Sequence, residues 1–293
     1  MAILSKIIKG NNLSLEQDWI KHIESLKVSD NFGDKGEAIK SINETLEIAI
    51  KKRMPKKHFG VMFSGGIDST LIAFLIKRLK GDFTCYTVGI EDARDIIESQ
   101  KIAKLLGFNQ KIKILGAIEV ENYIKETFRI IKDDSVVNAG VGATALAAIR
   151  LGKEDGVASF FSGLGSEEIF AGYERHSKAK NINEECWSGL KGMWKKDLGR
   201  DYAIGTHENV DLLVPFLDEE LIKIAMKVPS EWKITSEEKK MILREAAISQ
   251  GMPKDIAMRK KIAAQYGSGI DRVFEKLAKK NGMGKKEYLH SLI

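Results

Sequence analysis

The sequence predicts an α/β fold: a parallel, Rossmann-like sheet with N-terminal helices before it and a C-terminal helical cap after it. Three observations carry this. From residue 59, four short apolar runs alternate with helix-like segments of about ten or more residues, the pattern of βαβ units. The first run ends in a glycine-rich loop that opens directly into a helix. Beyond residue 166 the strand signal fades and helical spacing takes over.

Taken in order, residues 14–27 and 35–53 are helical, with Ile39, Ile42, Leu46 and Ile50 recurring every three or four positions. Met54-Pro55 ends this N-terminal helical segment (1–55), because a residue before proline is pushed out of the α region. The strands are FGVMF (59–63), FTCYTVGI (83–90), KIKIL (111–115) and VASFFSG (157–163). Helices over 70–80, 95–107, 119–131 and 141–151 separate or flank them, and right-handed crossovers place helices on both faces of this α/β core (56–165). The segments 167–196, 217–227, 236–250 and 270–281 read as helices, with breaks at Pro215, Pro229 and Pro253. This helical part (166–293) is expected to pack on the carboxyl ends of the strands, where open α/β sheets bind ligands.

The 293 residues carry 47 basic and 41 acidic side chains, a net charge of +6. Much of the basic excess is local, in KKRMPKKH (51–58), RKK (259–261) and KKNGMGKK (279–286). Such clusters are either solvated helix ends or a surface for phosphate. The two cysteines, Cys85 and Cys186, and the five histidines are scattered without zinc-ligand spacing. No run of about eighteen apolar residues suggests a membrane span, and no secretory signal is evident. A cytoplasmic protein without a membrane association is therefore expected.

The loop SGGIDS (64–69) places Ser64, Gly65, Gly66, Asp68 and Ser69 at a helix N-terminus. Unpaired N–H groups and the positive end of the helix dipole attract anions there. Glycine lets the backbone approach closely and adopt positive φ. The loop is neither GxxxxGK[ST] nor GxGxxG. An aspartate suits an anion site when a cation intervenes, and Mg²⁺ held between carboxylate and phosphate oxygens meets that need. The set matches SGGxDS, the pyrophosphate loop (PP-loop) of ATP pyrophosphatases, which cleave ATP between the α and β phosphates.

A second glycine-rich turn, SGLGSEEIFAGYERH (162–176), follows the fourth strand and sets Glu167 and Glu168 at a helix start. With SGGIDS it resembles the SGEGADELFGGY motif of asparagine synthetase. LLVPFLDEELIKIAMKVPSEWKI (212–234) and KKMILREAA…MPKDIAMRKKIAAQYGSG (239–269) resemble two further segments of that family. The likeness, to the synthetase (C-terminal) domain, runs in order from about residue 40 to 282. AGYERH, LGRD (198–201) and AAQYGSG look closest to short asparagine-synthetase-domain-containing proteins that lack a glutaminase domain.

The resemblance implies a fold of the adenine nucleotide alpha hydrolase (PP-loop) type and a ligase of asparagine biosynthesis using ATP and Mg²⁺. A carboxylate would attack the α-phosphorus, releasing pyrophosphate, and a nitrogen nucleophile would then displace AMP to form an amide. Ser64, Gly65, Gly66, Asp68 and Ser69 would hold pyrophosphate. Asp68 and Glu167 would share Mg²⁺. Val61, Phe63 and Val88 would frame adenosine, with Gly163 near the α-phosphate. Lys261 would stabilise charge on that phosphate, assisted by Arg259 or Lys240.

Three departures from the family pattern bear on the acceptor. Residue 2 is Ala2 where the family's glutaminase has its cysteine nucleophile, and the sheet starts at residue 59. Nitrogen is therefore expected from ammonia, another amine or a partner glutaminase. Leu164 replaces the glutamate of SGEG, so either proton transfer passes to Glu167, Glu168 or Asp211 or the second step differs. Leu213 replaces an arginine before VPFLD, and Asp211 a glutamate. Aspartate or another small carboxylate is the expected acceptor. The alternatives are a PP-loop enzyme that adenylates a base in tRNA, or an altered ATP-binding protein without catalysis.

Overall fold

The computed structural model describes residues 8–9, 12–260 and 264–292. After a two-residue hairpin (Ile8–Lys9 with Asn12–Leu13) come α1 (Glu16–Ser25) and α2 (Lys35–Arg53). Asp34 caps α2 by accepting from the Glu37 N–H at 2.7 Å. The indole of Trp19 donates to Leu190 O at 2.8 Å, tying α1 to the helical cap. Arg53, at the end of α2, is buried and pairs with Asp218 at 2.9 Å.

The α/β core then runs β1 (Phe59–Met62), α3 (Ile67–Arg78), β2 (Phe83–Gly89), α4 (Arg94–Leu106), β3 (Gln110–Ile114), α5 (Ala117–Ile131), α6 (Val136–Lys153) and β4 (Ser159–Phe161). A fifth strand, β5 (Asp211–Leu213), pairs in parallel with β4. The sheet order is β3-β2-β1-β4-β5, all parallel. Cys85 faces Val61 across β1–β2, and Gly60 faces Phe160 across β1–β4. A Cβ at Gly60 would sit 2.5 Å from the Phe160 ring, so glycine lets that ring lie against the strand. One apolar core fills the face shared with α1, α2 and the cap, and a second fills the face under α5 and α6.

The expected α/β architecture is therefore observed, with two local differences. β5 has only three residues, too few for an alternation to stand out beside the Pro215 turn. The stretch 167–196 is not one helix: it breaks into α7 (Ser166–Ile169), α8 (Glu174–Lys178) and α9 (Ile182–Gly192). Ala171 at φ 58° turns the chain after α7, and Asn181 restarts it by capping α9. The cap continues with α10 (Gly199–Glu208), α11 (Glu219–Met226), α12 (Met241–Ser249) and α13 (Ile270–Lys280). It reaches the carboxyl ends of the strands, where the Ile90 N–H donates to Ser268 O at 2.9 Å. Among the described residues no single helix is long and apolar enough to cross a membrane.

Candidate active site

Strand order reverses between β1 and β4, and the loops leaving these two strands meet at the ligand-binding edge of the sheet. The loop after β1 requires its glycine. Gly65 has φ +68°, and a Cβ there would lie 3.1 Å from the Ser99 backbone in α4. The Ser69 hydroxyl donates to Gly66 O at 3.3 Å and accepts from the Ser64 N–H at 3.4 Å. Gly66 precedes α3, so the first N–H groups of that helix border the loop.

The loop after β4 touches the first one. A Cβ on Gly163 would sit 2.9 Å from the Asp68 Cβ, and the Ser166 hydroxyl donates to Asp68 Oδ1 at 2.5 Å. The two loops converge on Lys240, which precedes α12 with a left-handed φ of 58°. Its buried ammonium donates to Asp68 at 2.8 and 2.9 Å and pairs with Glu167 at 2.9 Å. Gly172 makes room for that pair, since a Cβ would lie 1.6 Å from Glu167 Oε2 and 2.3 Å from Lys240 Cε. Two carboxylates within bonding distance of one cation form a hard-oxygen donor set, and that chemistry fits Mg²⁺.

Arg259 reaches the first loop from the cap. Its Nε donates to Gly65 O at 2.9 Å and its Nη2 to Ser64 O at 3.4 Å. Lys261 lies outside the described residues. Phe63 and Val88 line a cavity of about 220 Å³ beside the loops, whereas Val61 is fully buried in the core and its neighbour Met62 faces the cavity. Ser64, Asp68, Ser69, Gly163, Glu167 and Glu168 line the same cavity.

Its far wall holds Leu164, Glu168, Tyr173, Arg200 and Asp201. Glu168 is 2% exposed; burial, reinforced by the charges of Asp197 and Glu167, pushes its carboxyl up to about 7. Burial also raises the Tyr173 phenol, and the Glu168 charge adds to this. Arg200 is buried, donating from Nε to Asp201 at 2.6 Å and from Nη1 to Asp197 at 3.0 Å. Behind the wall, burial and the Arg175 charge hold the imidazole of His176 down at about 4. Leu213 sits in β5 and packs into the core. Asp211 is exposed and in register with Ser159 at the start of β4, away from the loops, so of the three carboxylates considered to stand in for the motif's glutamate only Glu167 and Glu168 line the cavity.

Several of these residues carried no separate signal in the sequence. Ser166 and Gly172 lie inside the second glycine-rich motif, yet their contacts depend on Lys240, 74 and 68 positions away (240 − 166 and 240 − 172). Arg200 and Asp201 fall in LGRD, which marked a likeness without assigning a contact. A larger surface cleft of about 840 Å³ beside α5 and α10 contains Glu126 and His207. Glu126 and the neighbouring Glu208 are already bonded there to Arg150 at 2.5 and 2.7 Å.

The asparagine synthase family model matches residues 41–196 and 174–283. A Methanocaldococcus jannaschii protein assigned as glutamine-hydrolysing asparagine synthetase 1 is 31% identical over 93% of this chain and 58% of its own length. Glutamine-hydrolysing asparagine synthetase of Rattus norvegicus is 31% identical over 81% of this chain and 45% of its own. The chain thus spans about half the length of these relatives. Among solved structures, NMN synthetase from Francisella tularensis gives a TM-score of 0.44 at 12% identity, over 89% of this chain and 94% of that one, a likeness too loose to rest an argument on. Family match and relatives agree with the paired loops: the chain belongs to the asparagine synthase family.

Proposed function

We propose that the chain is an ATP-dependent, AMP-forming amide ligase that adenylates a small carboxylate, aspartate or another, and then amidates it. The observation that carries this reading is the convergence of Asp68 and Glu167, from the loops after β1 and β4, on one buried cation beside an anion cradle. Pyrophosphate leaves as a multiply charged anion, and a cradle with adjacent cation-binding carboxylates matches that leaving group. Mg²⁺, held by Asp68 and Glu167, would supply charge neutralisation for it.

The chain's own residues divide the work. Ser64, Gly65, Gly66 and Ser69 bind the β and γ phosphates, and Gly163 leaves room for the α-phosphate. Val61, Phe63 and Val88 frame the adenosine, Val61 by supporting the wall from the core. Lys261 stabilises developing charge on the α-phosphate, a contact worth about 3–4 kcal/mol in comparable sites. Lys240 and Arg259 hold the loops around it. Glu168, whose carboxyl is poised at about 7, takes the proton released when nitrogen attacks. Ammonia, free or delivered by a separate glutaminase, or another amine is the nitrogen source.

Nucleotide analysis after incubation with ATP, magnesium, ammonium and a panel of small carboxylic acids tests this. The reading predicts AMP and pyrophosphate in equal amounts with the accepted acid. ADP and orthophosphate would overturn it. Product formation that needs added tRNA and no acid would move the activity to nucleic-acid adenylation.

A further inference from the structure

Arg244, on the first turn of α12, is 4% exposed; it borders a neighbouring cleft of about 370 Å³ that Glu167 and Lys240 also line, and its ion pair with Glu238 is long, at 3.9 Å. Its guanidinium bonds backbone instead. Nε donates to Lys239 O at 2.9 Å, and Nη1 donates to Ala257 O at 2.6 Å and to Arg259 O at 3.0 Å. With carbonyl acceptors at 2.6–3.0 Å and its ion pair at 3.9 Å, the closest bonds of this side chain are ties between two stretches of backbone. The two segments it joins are the turn that carries Lys240 and the stretch that carries Arg259.

The second segment controls the loop directly. Arg259 holds the carbonyls of Ser64 and Gly65. In a planar trans peptide the N–H points opposite to the C=O. Fixing Ser64 O therefore aims the Gly65 N–H away from Arg259, and fixing Gly65 O does the same for the Gly66 N–H. Both N–H groups belong to the loop that the adenylation reading gives to pyrophosphate, and that of Gly66 donates to the Ser64 hydroxyl at 3.3 Å. We propose that Arg244 is a positioning residue for the pyrophosphate loop. It sets the register of the Arg259 segment against the Lys240 turn and, through Arg259, the direction of the Gly65 and Gly66 N–H groups. The proposal rests on the adenylation reading for the identity of the anion, but not for the geometry of the loop.

The test combines amide hydrogen exchange at residues 64–69 with calorimetric binding of magnesium pyrophosphate, in wild type, Arg244→Lys, Arg244→Ala, Arg259→Ala and the Arg244→Ala/Arg259→Ala pair. Loss of these bonds is expected to speed exchange at Gly65 and Gly66 about tenfold and to weaken pyrophosphate binding about tenfold. Arg244→Lys, which keeps the charge and reaches fewer carbonyls, falls between wild type and Arg244→Ala. The paired variant shows no further loss beyond Arg259→Ala, because one acts through the other. If Arg244→Ala proves too unstable to measure, Arg244→Lys decides. A lowered melting temperature with loop exchange and pyrophosphate affinity unchanged overturns the proposal, as does full additivity in the pair. The exchange measurement needs no ligand. Absence of pyrophosphate binding by the wild type would thus count against adenylation, while the exchange rates alone would still decide the role of Arg244.

Discussion

The two halves of the cavity differ in how they are held. On the phosphate side, besides the short bonds within residues 64–69, contacts from distant parts of the chain end on the glycine loops: Lys240 on Asp68 and Glu167, Arg259 on Gly65, Ser166 on Asp68. On the acceptor side, the closest charge contacts are local, Arg200 bonding Asp197 and Asp201 in one segment at 3.0 and 2.6 Å, while its bond to Asn138 from α6 is longer, at 3.4 Å. The residues that depart from the family pattern, Leu164 and Leu213, belong to the acceptor side or its supporting strand. On the adenylation reading, a shared reaction would constrain the first half, because a polyphosphate and its metal demand fixed donors, whereas the second half would need only to fit its own acceptor.

The sharpest way to break this contrast is Lys240→Met. It leaves the buried Asp68, and the partly exposed Glu167 beside it, without their cation, and breaking the buried Lys240–Asp68 pair in this way costs about 3–5 kcal/mol. Chemical denaturation should record that loss, and added magnesium should raise the melting temperature of the variant more than that of the wild type. Asp68→Asn keeps the shape and removes the charge. A drop of about a hundred- to thousandfold in pyrophosphate release is expected, with circular dichroism unchanged.

A pH series probes the other half. Glu168 moves from an ordinary 4.5 to about 7 in the fold, so its contribution to stability is present below pH 4.5 and lost as pH rises through 7. His176 moves from 6.5 down to about 4, so its contribution is present above pH 6.5 and lost as pH falls through 4. The two slopes oppose each other over nearly the same window. Glu168→Gln removes the first, and its stability should climb by roughly 3 kcal/mol between pH 4 and 6.5, where wild type stays flatter. Urea denaturation across that range reads the difference. The smallest effect is expected for Leu164→Glu, which places a carboxylate in the far wall. It should alter preference among acids by about tenfold while ATP affinity, measured by calorimetry, stays within about twofold. A fall in ATP affinity with acid preference unchanged would show that the halves are not separate.

The same contrast explains what could be read from the sequence. SGGIDS, SGLGSEE and the alternating strands are local patterns, and the chain folds them where the pattern says. β1 to β4 and the two long N-terminal helices were legible because apolar spacing over several residues fixes which face is buried. β5 was not, since three residues beside a proline turn carry no period. The role of Gly172 was also hidden. Its neighbours on the chain say nothing about Lys240, and only the folded geometry brings that side chain's Cε to within 2.3 Å of the place a Cβ would take. The role of Arg244 was hidden as well: it falls in KKMILREAA, which carried a likeness but no contact, because bonds from a side chain to remote carbonyls leave no mark on sequence spacing.

The central claim is that the phosphate half performs its step before any nitrogen is involved. Exchange of labelled pyrophosphate into ATP, measured with magnesium and each candidate acid but no ammonium or amine, tests it most directly. The account predicts acid-dependent exchange in the absence of a nitrogen source, abolished by Asp68→Asn. Turnover with an acid and ammonium, accompanied by no exchange until the nitrogen source is added, would contradict it.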